Sequence, residues 1–308
     1  MNSDQLPLPL DRGLRPLPEP PTPNGAGTRG LAAVGILLGG VKFLPFLKTL
    51  LTMGLSVCAY AVGNGWTFAA LFVLLLFCHE LGHVWAAKRL GLPVSVPIFI
   101  PFFGALITMK RNPQAAAHEA YLAVGGPLTG SLAALATLTA GWAFGSDVLV
   151  HAAIIGFFLN LFNLAPLHPL DGGRLVAAVS PWLWLLGAVI MVPLLVYLRA
   201  WVFGALLCLM AWPNLKRLFV GRDRAWRAYH TCTRRQRLYA SGSWLFLAVL
   251  LFGLMFAAAV GLPFGARVAC LAAAWVGLPL LTWACIYTWP LGALAVSEAE
   301  GYGRGPLV

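Results

Sequence analysis

His79-Glu80-Leu81-Gly82-His83 is an HExxH motif inside an apolar run. If that run is a helix, residues four apart share a face. Both imidazoles can then reach one metal ion, while Glu80, offset around the axis, is placed to act as a base on an attacking water. With six histidines and five glutamates in 308 residues, chance would give one such motif in roughly 0.2% of chains of this composition. The setting sharpens the point. Glu80 sits among Leu, Phe and Val, and a charge at the centre of a membrane helix costs about 2.5–3.5 kcal/mol even on the mild insertion scale. A carboxylate kept there is expected to have a task.

A hydrolytic zinc site needs a third protein ligand and an open position for water. Between residues 30 and 220 the other carboxylates are Glu119, Asp147 and Asp171. Asp147 is expected at the opposite membrane face, and Glu119 opens a span on the cytoplasmic side. Asp171 follows a proline-broken span end, level with the end of the HExxH helix, and is the natural third ligand. His118-Glu119-Ala120-Tyr121-Leu122 lacks the closing histidine of a second HExxH and reads as a helix-start pair at the interface.

The elements that must position these groups follow from composition. The chain is 60% hydrophobic and only 10% charged, with a mean hydropathy of +0.81, whereas soluble proteins carry roughly 25% charged residues. That excludes a soluble dehydrogenase, a DNA-binding domain and a disulfide scaffold, and several apolar runs near 20 residues place the chain in a bilayer. Spans are expected at about 47–63, 67–87, 118–142, 148–166, 243–262 and 266–290, with two short antiparallel helices in 181–217 turning near Arg199. Residues 94–110, β-branched, aromatic and broken by Pro97 and Pro101, read as a re-entrant hairpin of extended strands, tolerated in a membrane only where protein or a cavity satisfies its backbone. The net charge of +11 lies in loops bordering the apolar runs, above all between Lys216 and Arg237, and fits a cytoplasmic interfacial segment facing anionic lipid rather than nucleic acid. Cysteines 58, 78, 208, 232, 270 and 285 show no CxxC spacing, so neither a disulfide framework nor a cysteine-ligated metal is expected.

HELGH on one span followed by NLFNLAPLHPLDGGR at the end of another resembles the site-2 protease family of intramembrane zinc metalloproteases. GGPLTG at 125–130 resembles that family's glycine-proline segment, and the stretch around Phe103-Gly104-Ala105 its membrane-embedded strands. The resemblance implies that His79, His83 and Asp171 ligate one zinc ion per chain. It also implies that Glu80 is the general base and later the acid, and that Asn163 holds substrate backbone or the developing oxyanion. Asn160, one turn earlier on the same face, could share that task or be a satisfied intramembrane amide. His168, between two prolines, departs from the pattern and reads as a residue supporting the ligands or a bystander rather than a metal ligand, since Asp171 completes the ligand set. His151 and His230 read as ordinary histidines, and no insertion is long enough for an extra soluble domain.

The expected protein is therefore an all-α, multi-pass membrane protein of about six to eight transmembrane helices with a small membrane-embedded β-hairpin. A disordered Pro-rich cytoplasmic tail (1–29) would precede a catalytic core (30–220), a basic interfacial segment (221–242) and a C-terminal transmembrane hairpin and tail (243–308). Its expected work is hydrolysis of peptide bonds in or next to transmembrane helices of membrane-protein substrates. Its partners would be those substrates and the lipid bilayer, not nucleic acid, in a prokaryotic inner membrane with both termini cytoplasmic. The alternative is a catalytically silent protein of the same fold that binds client helices, against which the intact Glu80 argues. A prenyl-protein type of peptidase, with a late Glu as third ligand, is disfavoured because no Glu occurs between 120 and 297.

Overall fold

The computed structural model describes residues 25–102, 104–109 and 112–289, with side chains from Leu44 onward. The expected Pro-rich tail lies, as far as residue 24, outside the described residues. The chain divides into two compact units, Met1–Pro45 and Phe46–Val308. The first is described essentially as helical backbone from Gly25, and the second contains the HExxH motif, the hairpin and Asp171.

Helix α1 (Gly25–Asn64) is separated from α2 (Trp66–Arg89) by Gly65 alone, whose φ of 81° only glycine adopts freely. The HExxH helix α2 ends on Lys88 and Arg89, cations that suit the negative end of a helix dipole. A hairpin follows, β1 (Ile98–Ile100) antiparallel to β2 (Gly104–Leu106), with Phe99 opposite Ala105. The long α3 (Ala116–Phe144) stops at Gly145 in the left-handed conformation, the usual glycine C-cap. Then come α4 (Asp147–Asn163), the short α5 (Asp171–Val179), α6 (Leu183–Tyr197) and α7 (Trp201–Phe219). Arg199, at φ 55°, sits in the turn between α6 and α7, where the sequence places it. Helix α8 (Arg224–Tyr229) precedes the closing pair α9 (Arg234–Val260) and α10 (Phe264–Tyr287).

Among the described residues six helices are long and apolar enough to cross a membrane: α1 from Leu44, α2, α3, α7, α9 and α10. The apolar α4 and α6 are shorter. This is the expected multi-pass helical architecture, with the expected small hairpin. Helix α9 starts earlier than position 243, because Thr233 and Gln236 form a capping box that satisfies the first backbone donors. Arg234, Arg235 and Arg237 of the basic segment are consequently the first turn of a spanning helix.

The centre of the bundle is α3. Of its apolar stretch 67% is buried, against 11–33% for the other five long helices, and it packs against α2, α4, α5, α9 and α10. Helices in lipid gain little from hydrophobicity when they pair, so they associate where small residues let backbones approach. Here Gly82 of α2 and Gly125 of α3 face each other, and a Cβ added at Gly125 would stand 2.5 Å from the Gly82 carbonyl oxygen. Alanine at 125 should force α2 and α3 apart. Overpacking of this kind costs about 1–3 kcal/mol, so Gly125→Ala in detergent should melt several degrees below the parent protein. Gly63→Ala, which meets nothing within 4 Å, should not. Equal melting temperatures for the Gly125 variant and the parent would refute the close approach.

Candidate metal centre

Helix α2 carries His79, Glu80 and His83, and Asp171 is the first residue of α5. The fold brings the two imidazoles and the carboxylate together inside the bundle. His79 Nε2 and His83 Nε2 each lie 3.2 Å from Asp171 Oδ2, and 3.2 Å from each other. His79 and Asp171 are buried, at 2% and 6% exposure. Three donors about 2.0–2.1 Å from a tetrahedral zinc stand about 3.3 Å apart, so this nearly equilateral triangle has the size of one face of a zinc tetrahedron. Among the described residues it is the group of histidine, cysteine and carboxylate side chains that could hold a metal ion.

The remaining ring nitrogens are engaged elsewhere. His83 Nδ1 lies 2.9 Å from the Leu122 carbonyl on α3, and His79 Nδ1 lies 2.8 Å from Asn160 Oδ1 on α4. A carbonyl can only accept, so His83 carries its proton on Nδ1 and turns a bare Nε2 toward Asp171. Room for the two rings comes from Gly126 on α3: a Cβ there would overlap the His83 ring and approach His79 Nε2 to 2.7 Å. Thr129, one turn on, donates its hydroxyl to the Cys78 carbonyl at 2.9 Å and ties α3 to the HExxH helix just before His79.

Asp171 is held by bonds to the loop that precedes it and to the first turn of its own helix. Trp244 Nε1 of α9 donates to the Leu164 carbonyl at 2.7 Å, and Trp184 Nε1 of α6 to the Gly173 carbonyl at 2.8 Å. Gly172 and Gly173 let the first turn of α5 lie directly on loop backbone, since a Cβ on either would collide with carbonyls of Leu164 or Leu167. The carboxylate also sits at the positive end of the α5 dipole.

Glu80, one residue from His79 and so about 100° around the helix, is half-buried beside the triangle. Asn163 ends α4, half-buried, with its amide donating to the Leu159 carbonyl at 3.1 Å. No hydrogen bond joins it to His79, His83 or Asp171 among the described residues. His168 stands apart from the triangle: its Nδ1 accepts from Asn214 Nδ2 at 3.0 Å, and its ring lies edge-on to Trp184. Burial pushes the Tyr229 phenol well above its ordinary range, and the negative charge of the nearby Glu119 carboxylate pushes it the same way. His151 donates to the Asp147 carbonyl of its own helix, and His230 lies over Trp226 at 4.1 Å.

The fold and the triangle define a multi-pass helical membrane protein with a group of three side chains, two of them on an HExxH helix, that could hold a metal ion. Residues 67–148, which contain that motif and GGPLTG, match the model of peptidase family M50, the family of site-2 proteases that the motifs resemble. Asp171 lies beyond the matched segment. The chain is 29% identical over 147 residues to the zinc metalloprotease MJ0392 of Methanocaldococcus jannaschii, covering 45% of this chain and 41% of the relative. It is 36% identical over 125 residues to the putative zinc metalloprotease Rip3 of Mycobacterium tuberculosis, covering 38% and 30%. It is 27% identical over 162 residues to the putative zinc metalloprotease sll0528 of Synechocystis, covering 46% and 42%. The chain thus spans less than half the length of the curated relatives it matches. No solved structure matches it significantly.

Purified in detergent, the protein should hold about one zinc per chain. Asp171→Ala should lower zinc content by removing one corner of the triangle, and Gly126→Ala by filling the space of the rings. Gly242→Ala, with nothing within 4 Å, should leave zinc content unchanged. Elemental analysis decides it: full zinc retention in Asp171→Ala would remove that residue from the ligand set.

Proposed function

We propose that the chain is an intramembrane zinc metalloendopeptidase that hydrolyses peptide bonds in or next to transmembrane helices of membrane-protein substrates. The observation that carries this reading is the 3.2 Å triangle of His79, His83 and Asp171 with Glu80 beside it on the same helix. The names of the relatives agree with it.

His79, His83 and Asp171 hold the zinc, which when bound supplies Lewis acidity to the scissile carbonyl and to the attacking water. Glu80 takes the proton as water attacks, and the protonated carboxyl then delivers it to the leaving amine. Asn163, half-buried at the C-terminal end of α4, is the donor for a substrate carbonyl or the developing oxyanion. To act so, its amide must leave the Leu159 carbonyl that it meets in the structure.

A transmembrane helix hides its carbonyls in internal hydrogen bonds, so the substrate must unwind before cleavage. The hairpin beside α2 supports capture of the extended segment by strand addition. Its two edges differ. On the β1 side, Thr49 Oγ1 of α1 donates to the Pro97 carbonyl at 2.7 Å, and Thr52 Oγ1 and Tyr60 Oη accept the N–H groups of Phe99 and Phe102. Since Phe99 turns its N–H away from β2, its partner Ala105 is a non-hydrogen-bonded pair member, with N–H and C=O turned outward. Among the described residues nothing bonds to that Ala105 N–H, so β2 offers the edge for an incoming strand.

In orientation, Lys88, Arg89 and the arginines between 217 and 237 face the cytoplasm, as excess cations beside spans do. Cysteines placed at Lys88 and Arg224 in a cysteine-free background should resist an impermeant thiol reagent until cells are opened. Labelling in intact cells would reverse the orientation.

The chemistry is tested in proteoliposomes with a single-span reporter substrate whose helix contains a glycine pair. Glu80→Gln should keep zinc and lose cleavage by a factor of roughly 10² or more. Ala105→Pro removes one outward donor and no ladder bond to β1, and should slow cleavage while zinc content holds. Cleavage by Glu80→Gln at the parent rate would remove Glu80 as the base, absence of cleavage by the zinc-loaded parent would leave the client-binding alternative, and unchanged cleavage by Ala105→Pro would dismiss the β2 edge.

A further inference from the structure

Asn160 is the group whose purpose neither the reaction nor the packing accounts for. It is 1% exposed in an apolar helix, and an amide without partners there would be strongly destabilising. It has two partners. Its Nδ2 donates to the Gly156 carbonyl at 2.7 Å, and its Oδ1 lies 2.8 Å from His79 Nδ1. The first bond fixes the second: with the amide nitrogen committed to a carbonyl, the group turned toward His79 is the acceptor. His79 must therefore carry its proton on Nδ1.

Space has been left for this contact. Gly130 of α3 lies against the amide, and a Cβ at that position would stand 2.9 Å from Asn160 Nδ2 and closer still to Oδ1. Gly126 and Gly130 are four residues apart on the same face of α3. The first makes room for the two metal-facing rings and the second for the amide behind one of them.

We propose that Asn160 is the positioning residue of the metal centre: it fixes His79 in the tautomer whose Nε2 is bare and aims that nitrogen at Asp171, without touching substrate. The inference rests on the reading of His79, His83 and Asp171 as the zinc ligands. The physical reason is general. A neutral imidazole has two tautomers, and an acceptor at Nδ1 selects the one that leaves Nε2 free for a metal. His83 obtains the same service from the Leu122 carbonyl, which no side-chain substitution removes. Asn160 is the half of the arrangement that a substitution can reach. It also separates two asparagines that share a helix face: Asn160 serves the metal ligand, and Asn163, less buried and bonded only to its own helix, is left for substrate.

The test measures zinc affinity of the full-length protein in detergent by competition with a chromophoric chelator, alongside the visible spectrum of the cobalt-loaded form. Asn160→Leu, close in volume but without an acceptor, should bind zinc about 10- to 100-fold more weakly and shift the cobalt bands. Asn160→Asp keeps an acceptor at the same place and should restore affinity to within a few-fold of the parent. Asn163→Leu should leave affinity unchanged. If Asn160→Leu fails to fold as judged by its metal-free melting curve, Asn160→Ser, smaller and unable to reach Nδ1, takes its place with the same expectation. Parent-like affinity and spectra in Asn160→Leu or its substitute, or loss in Asn160→Asp equal to that in Asn160→Leu, overturns the proposal while the metal centre stands. A parent protein that binds no zinc overturns both.

Discussion

Two imidazoles and a carboxylate can meet inside a helical bundle only where the helices around them carry almost no side chains, and the contact of α2 with α3 meets that condition. Gly82 against Gly125 brings the backbones together, and Gly126 and Gly130 open a shallow trough along α3. The rings of His79 and His83 lie in that trough, with the amide of Asn160 beneath one of them. A larger residue at any of these positions would either separate the helices or occupy the place of a ligand. Because lipid provides no hydrophobic drive to press helices together, the surface complementarity must come from the small residues themselves. They are also the residues the metal centre needs to be small, so one stripe serves both stability and chemistry.

A second constraint follows from the first. A site inside apolar surroundings contains polar groups that cannot turn to water, and each must find a partner on another element. The bonds that result run between helices: His79 to Asn160, His83 to the Leu122 carbonyl, Thr129 to the Cys78 carbonyl. Trp244 pins the loop ahead of Asp171 through the Leu164 carbonyl, and Trp184 pins the first turn of α5 through the Gly173 carbonyl. Asp171, which comes from a broken chain segment rather than a long helix, is thus as firmly placed as the two histidines on α2. Helix α9 contributes Trp244 and packs on α4 and α5, and Ala240, Leu247, Leu251 and Leu254 share a core with α3. The C-terminal pair of helices is part of the scaffold of the site.

Much of this is legible in the sequence, for identifiable reasons. HExxH has a fixed periodicity on a helix, so its geometry is local, and Asp171 follows from the scarcity of carboxylates in an apolar chain. The helix count and the hairpin follow from hydropathy and from Pro97 and Pro101. What the sequence leaves open is the rotation of one helix about its axis relative to the next. Asn160 and Asn163 lie three residues apart, and nothing local decides which one turns toward His79. A signal did exist: Gly126 and Gly130 form a GxxxG pair in α3, and a small-residue stripe says that something from a neighbouring helix must fit there. The start of α9 was also written locally, in Thr233 and Gln236, but the hydrophobic run that begins at 243 masks it. Which edge of the hairpin is occupied depends on α1, from which Thr49, Thr52 and Tyr60 reach it from a distance of about 40 to 50 residues along the chain.

That last contact bears on how a protein can keep an open strand edge in a membrane at all. Unpaired backbone groups facing lipid cost several kcal/mol each, so a two-stranded hairpin, with two outer edges, needs both accounted for. On β1 the answer is side-chain hydroxyls, placed at Thr49, Thr52 and Tyr60 so that they fall on one side of α1 and replace a third strand. Hydroxyls suit the purpose because one oxygen can donate to a carbonyl, as Thr49 does, or accept from an amide, as Thr52 and Tyr60 do. Aromatic packing of Tyr60 on Phe72 of the HExxH helix and on Phe102 of the hairpin turn then couples helix, hairpin and site in one unit. With β1 bonded by its own chain, the outward backbone groups at Ala105 meet no partner among the described residues. An extended peptide that satisfied them would lie along β2, the strand that packs against α2, and so beside the helix that carries His79, Glu80 and His83.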